Sequence, residues 1–152
     1  MTIVYQSNTG FTQEYAEMLG KSTRRKVCRL DEARSRLEKG SPVLYMGPLM
    51  AGHISGLDRA GKLFQVCAVC GVGMSPPGPE VMAAMRRSNY VGDAPVFYLQ
   101  GGWAPQKVSW IKRRMVFMAA RQMAGEEFLK QGGSFVAYKN LAPLENWLEK
   151  QP

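Results

Sequence analysis

The sequence predicts an α/β fold in which a parallel five-stranded sheet carries helices on both faces. Two observations carry this expectation. Strand-like and helix-like segments alternate along the chain. The strand-like segments are mostly short apolar runs, as strands buried on both faces should be.

The first strand is Ile3-Val4-Tyr5-Gln6, a short β-rich run. A helix follows over Thr12 to Lys21, where Tyr15, Ala16 and Leu19 recur at helical spacing and Gly20 is a plausible stop. Lys26-Val27-Cys28-Arg29-Leu30 is the second strand. Asp31 is placed to cap a helix through Glu38, with Gly40 after it. Val43-Leu44-Tyr45-Met46 is the third strand. A Gly-rich loop, Gly47 to Gly56, leads to a short helix over Leu57 to Lys62. Phe64 to Val69 is the fourth strand, followed by a Gly/Pro-rich loop, Gly71 to Pro79. Glu80 to Ser88 reads as a helix and Pro95 to Leu99 as the fifth strand. After Gly101-Gly102 a long helix is expected from Gln106 to Gln131, and Leu141 to Lys150 closes the chain as a helix. No repeat, low-complexity tract or linker divides the chain, so one domain over 1–152 is expected.

Composition narrows the function classes. No apolar run approaches the ~18 residues of a membrane span. Met1-Thr2-Ile3-Val4-Tyr5 runs directly into a strand, with no basic n-region or cleavage site, so a cytoplasmic location is expected. The net charge of +8 favours acidic partners or anionic surfaces. Nucleic acid is disfavoured, because the basic residues come with no recognition motif or clustered stacking aromatics. Cys67 and Cys70 have a Cys-x-x-Cys spacing, yet they fall in a strand-like run. Residues three apart in a strand lie ~10 Å apart, too far for a disulfide, which needs Cα atoms within roughly 7 Å. No second Cys or His pair completes a zinc site.

The turn between the first strand and first helix is a phosphate cradle in chemical terms. Amide groups at a helix N-terminus converge on one point, and the helix dipole favours an anion there. Ser7, Thr9 and Thr12 add hydroxyls, and Gly10 allows close backbone approach. No Lys or Arg lies inside the loop, so neutral donors are expected to carry binding. The turn is neither a Walker loop nor a Gly-x-Gly-x-x-Gly turn.

Ile3-Val4-Tyr5-x-Ser7-x-x-Gly10-x-Thr12, followed by Ala16 and Leu19, resembles the FMN-binding signature of the flavodoxin superfamily. The resemblance implies a flavodoxin-like three-layer sandwich with strand order 2-1-3-4-5. It implies that Ser7, Asn8, Thr9, Gly10, Phe11 and Thr12 surround the phosphate of FMN. With that order, the loops after strands one, three and four converge beyond the carboxyl ends of the strands, where ligands bind in open sheets. The flavin-side candidates are therefore Leu49, Met50, Ala51, Gly52 and His53, and Gly71, Val72, Gly73 and Met74. Flavodoxins usually place an aromatic side chain against the flavin from one of these loops, and neither loop here has one. Flavodoxin carriers are also typically acidic, unlike this chain.

Gly47-Pro48-Leu49-Met50-Ala51-Gly52-His53 resembles the matching loop of quinone-dependent protoporphyrinogen dehydrogenases of that superfamily. The shared element is chiefly Gly52-His53; Met50-Ala51 replace the Arg-Tyr pair expected there. Such enzymes also carry helical material after the fifth strand and use membrane quinones. Here that region holds Val108, Ile111, Met115, Met118 and Gln122 at helical spacing, with Lys107, Lys112, Arg113, Arg114 and Arg121 on the remainder. The stripe either packs on the sheet or docks to an anionic membrane or an acidic partner.

Three functions follow: an FMN-binding redox protein working with a partner protein or quinone, a porphyrinogen-type dehydrogenase with a quinone acceptor, and a flavodoxin-like interaction module without flavin. No acid/base pair, nucleophile or metal constellation stands out, in keeping with chemistry carried by a cofactor.

Overall fold

The computed structural model describes residues 1–121 and 124–152. Strands β1 (Thr2–Tyr5), β2 (Val27–Arg29), β3 (Pro42–Met50), β4 (His53–Ile54), β5 (Gln65–Gly73) and β6 (Val96–Gln100) form one sheet. Its order is β2-β1-β3-β5-β6, with every pair along that path parallel and β4 antiparallel to β3. This is the flavodoxin-like order 2-1-3-4-5, with one short antiparallel addition.

The period of two along each strand sorts side chains between two apolar layers. Ile3, Leu44 and Met46 pack with Tyr15, Ala16 and Leu19 of α1 (Phe11–Thr23) and Leu144 and Leu148 of α7 (Ala142–Glu149). Val4, Val43 and Tyr45 face the other way. They meet Leu30 and Ala33 of α2 (Leu30–Arg36), Leu57 and Ala60 of α3 (Leu57–Leu63), and Met85 of α4 (Pro79–Ser88). Helices on both faces complete a three-layer α/β sandwich.

Several boundaries differ from the sequence expectation. Gly20 does not stop α1; it lies inside the helix, where a Cβ would collide with Val27 Cγ2. The glycine lets α1 lie directly on β2, and the helix ends instead at Arg24, whose φ of +56° is left-handed. Asp31 is not the cap of α2, because the helix has already begun at Leu30 and Asp31 sits in its first turn. The third strand continues through the expected loop to Met50, and the fourth reaches Gly73, so Gly71 and Val72 are strand residues. Cys67 is the extra residue of a bulge in β5, where Val66 pairs Val43 and Ala68 pairs Leu44. Cys67 and Cys70 are free thiols, and burial pushes the Cys70 thiol far up.

The largest correction falls after β6. The single helix expected over 106–131 is instead a 3₁₀ turn (Pro105–Lys107), α5 (Trp110–Ala120) and α6 (Glu126–Gln131). Ser109 caps α5, its Oγ accepting from Lys112 N–H at 3.3 Å. Gly125 precedes α6 and Gly132, at φ +81°, ends it. Gln122 lies outside the described residues. The apolar stripe does not cover the sheet: α5 buries no residue, and Trp110, Ile111, Met115 and Met118 are exposed, Met118 by 73%.

The segment is tied down elsewhere. β7 (Gly102–Trp103) pairs antiparallel with β8 (Gly133–Ser134), and Trp103 Nε1 donates to Leu129 O at 2.8 Å. A Cβ on Gly132 would strike Trp103 O, so the backbone crossing requires glycine. On the α1 side, Tyr15 Oη donates to Gln100 O at 2.7 Å and accepts from Asn140 Nδ2 at 2.8 Å. Burial raises the Tyr15 phenol pKa, against the lowering effect of the Asn140 donor.

Candidate functional site

The start of α1 is built to leave donors free. Gly10 occupies the cap position with φ +101°, and no side chain caps the helix. Its own N–H donates to Ser7 Oγ at 3.1 Å, which folds the loop back on itself. The first amide to find an acceptor inside the helix is that of Glu14, bonded to Gly10 O at 3.0 Å. The amides of Phe11, Thr12 and Gln13 therefore have no intrahelical acceptor and point out of the helix end. Thr12 is the buried polar side chain among the described residues, 2% exposed, and it lines the cleft in front of them.

That cleft is open to solvent, encloses about 200 Å³ and draws on four parts of the chain. Ser7, Asn8, Thr9, Phe11 and Thr12 come from the β1–α1 loop and the first turn of α1. Leu49 and Met50 come from the end of β3, and Val72, Gly73 and Met74 from the end of β5. The fourth part is the segment after β6, through Gly102, Trp103, Val108, Lys112 and Val116. Ten of the residues expected at the site thus meet at one place, at the carboxyl edge of the sheet.

The other five sit differently. Gly10 shapes the loop from the cap position, beside the cleft. Ala51 and Gly52 are the turn of the β3–β4 hairpin, with φ of +49° and +85°, the left-handed pair that a two-residue turn of this hand requires. His53 follows them, exposed and paired with Met50 in the ladder, outside the cleft lining. Gly71 lies within β5, where its missing side chain makes room for Met85. These residues position the cleft without lining it.

Half-buried partners hold two of the loops. Asn89, just after α4, accepts from Ile54 N–H at 3.0 Å and donates to Gly52 O at 2.7 Å and Met85 O at 2.8 Å. The hairpin carrying Met50 is thereby indexed to α4. Tyr98 Oη donates to Ser75 O at 2.6 Å and Gln100 Nε2 to Met74 O at 3.1 Å, fixing the loop after β5 from the neighbouring strand. Burial drives the Tyr98 phenol pKa well above its ordinary value, so it stays a donor at all working pH.

Three contributors escaped the sequence reading. Lys107 Nζ donates to Thr9 O at 3.3 Å, and lies 3.5 Å from where a Cβ on Gly10 would be. An ammonium group therefore stands beside a loop that contains no cation of its own. Lys112 lines the cleft, with Nζ 3.5 Å from Met50 Sδ. Trp103 supplies an aromatic wall that the loops after β3 and β5 lack, joined by Phe11 against Gly101 and Gly102. The available signal was the Gly101-Gly102 pair, since the loop after the fifth strand also opens on the carboxyl edge.

The donor set fits a phosphate: free amides, an unencumbered helix N-terminus, hydroxyls and a nearby ammonium. The remaining walls are aliphatic, aromatic and sulfur-bearing, suited to a flat ring system. The residues present therefore fit FMN, partly enclosed and partly at the mouth. Compared with known proteins, the chain matches no family model and no curated sequence. No helix among the described residues is long and apolar enough to cross a membrane.

Proposed function

We propose that the protein is an FMN-binding, flavodoxin-like redox protein that passes electrons through the flavin to or from a partner protein or quinone. The observation that carries this is the cleft at the start of α1, where unpaired amides and the buried Thr12 face a wall of Leu49, Met50, Val72, Met74 and Trp103. FMN, when bound, supplies one- and two-electron chemistry. The amides of Phe11, Thr12 and Gln13 would hold its phosphate, with the hydroxyls of Ser7, Thr9 and Thr12. The β3 and β5 loops would orient the ring and keep water from its faces. A cytoplasmic location goes with this reading.

Titration of the purified protein with FMN, followed by flavin fluorescence, should saturate. Thr9→Ala and Thr12→Ala should each weaken binding by roughly 1 kcal/mol or more, the scale of a hydrogen bond to a charged group. A protein that takes up no FMN would instead be an interaction module on the same fold.

A second reading has one observation in its favour. The outward face of α5 exposes Trp110, Ile111, Met115 and Met118 beside Arg113 and Arg114. An apolar and basic helix face of this kind suits peripheral contact with an anionic membrane. It would suit a porphyrinogen-type dehydrogenase that delivers electrons to a membrane quinone.

A further inference from the structure

The lining of the cleft contains no carboxylate, and its one charged side chain is Lys112. Lys107 stands just outside, on the phosphate loop. The ion pairs found among the described residues, Arg29–Asp31 and Arg36–Glu32, involve neither lysine. The two ammonium groups also differ in place. Lys107 Nζ touches the loop at Thr9 O, while Lys112 Nζ lies over Met50 Sδ, at the end of β3.

Charge changes at only one end of FMN when it is reduced. The phosphate keeps its charge. The oxidised ring is neutral; on taking two electrons and one proton it becomes a reduced ring with a full negative charge spread over N1 and its neighbouring carbonyl. An ammonium group near the ring, with no carboxylate to offset it, interacts with the reduced form and little with the oxidised one. An ammonium group near the phosphate interacts with both forms alike.

Resting on the FMN reading, we infer that Lys112 makes the cleft bind reduced FMN more tightly than oxidised FMN, and that Lys107 selects the phosphorylated flavin without distinguishing its redox state. The bound flavin then acts as an acceptor of electron pairs, at a potential above that of free FMN. An acid-lined cleft would do the reverse.

The experiment uses the full chain loaded with FMN at pH 8, reduced stepwise with dithionite against a reference dye, in parallel with free FMN. The two-electron midpoint of the wild type should lie above that of free FMN. Lys112→Gln should remove about tenfold of the preference for the reduced form, lowering the midpoint by about 30 mV. Lys112→Arg should restore it, which separates charge from packing. Lys107→Gln should weaken oxidised and reduced FMN by the same factor, about tenfold, and leave riboflavin affinity unchanged. A wild-type midpoint at or below that of free FMN, or a Lys112→Gln midpoint equal to wild type, overturns this inference and leaves FMN binding standing. Absence of FMN binding in the wild type overturns the reading beneath it as well. Circular dichroism checks that the lysine substitutions leave the fold in place.

Discussion

The sheet body and the segment that follows β6 are held by different means. In the body, α1 is fixed by Tyr15, Ala16 and Leu19, all fully buried between sheet and α7. In the segment, α5 buries nothing, and attachment falls to a few points: the β7–β8 pair, the Trp103 indole, and Leu129 of α6. Both regions line the same cleft. The comparison teaches that the end of the cleft at the start of α1 inherits the rigidity of the core, whereas the wall carrying Lys112 is anchored from a distance. The two sides of the cleft therefore rest on parts of very different stability.

The sharpest way to expose the difference is a truncation on each side. Leu19→Ala opens a cavity between α1 and the sheet, and should cost about 2–5 kcal/mol in urea unfolding. A value under 1 kcal/mol would mean that the body is no better packed than the segment. Trp103→Phe keeps most of the ring but leaves Leu129 O without its donor. It should cost about 1–2 kcal/mol and speed tryptic cleavage at Arg113 and Arg114, with the body left intact. Cleavage at an unchanged rate would show that α5 is held by something other than this anchor. The smallest effect belongs to the outward face of α5. Ile111→Ser with Met118→Ser should change stability by no more than about 0.5 kcal/mol per site, as exposed substitutions do. If that face meets membranes, the same double variant should lose sedimentation with anionic vesicles, and wild-type binding should fall with salt. Unchanged sedimentation in the variant, or none in the wild type, would remove the membrane from the account.

The alternation of strands and helices and the position of the β1–α1 loop were legible in the sequence because both are local signals, while the strand order came through the family resemblance. Apolar runs such as Val43 to Met46 declare burial on two faces, and Ser7 to Thr12 lies in one unbroken stretch between β1 and α1. The wall after β6 was not legible, and the reason is physical. The spacing of Ile111, Met115 and Met118 shows only that one side of the helix is apolar; it does not say which side faces the body. By that point both faces of the sheet are already covered by the layers around Leu44 and Tyr45. With no sheet surface left to claim Ile111, Met115 and Met118, α5 turns Lys112 and Val116 to the cleft, and of the stripe only Val108, which precedes the helix, joins them among the described residues. Sequence distance hides Lys107 and Trp103 in the same way, since nothing near the phosphate loop announces them.

The bond from Lys107 to Thr9 spans 98 residues, and that interval is also a length of time. Chains are synthesised at about 5–20 residues per second, so Thr9 is made about 5–20 s before the lysine that flanks it. α1 itself is packed against Leu144 and Leu148 of α7, which are made later still, so the loop takes its final setting only after Lys107 is in the chain. The contact is thus a late feature of the chain, closed only when segments far apart in sequence meet.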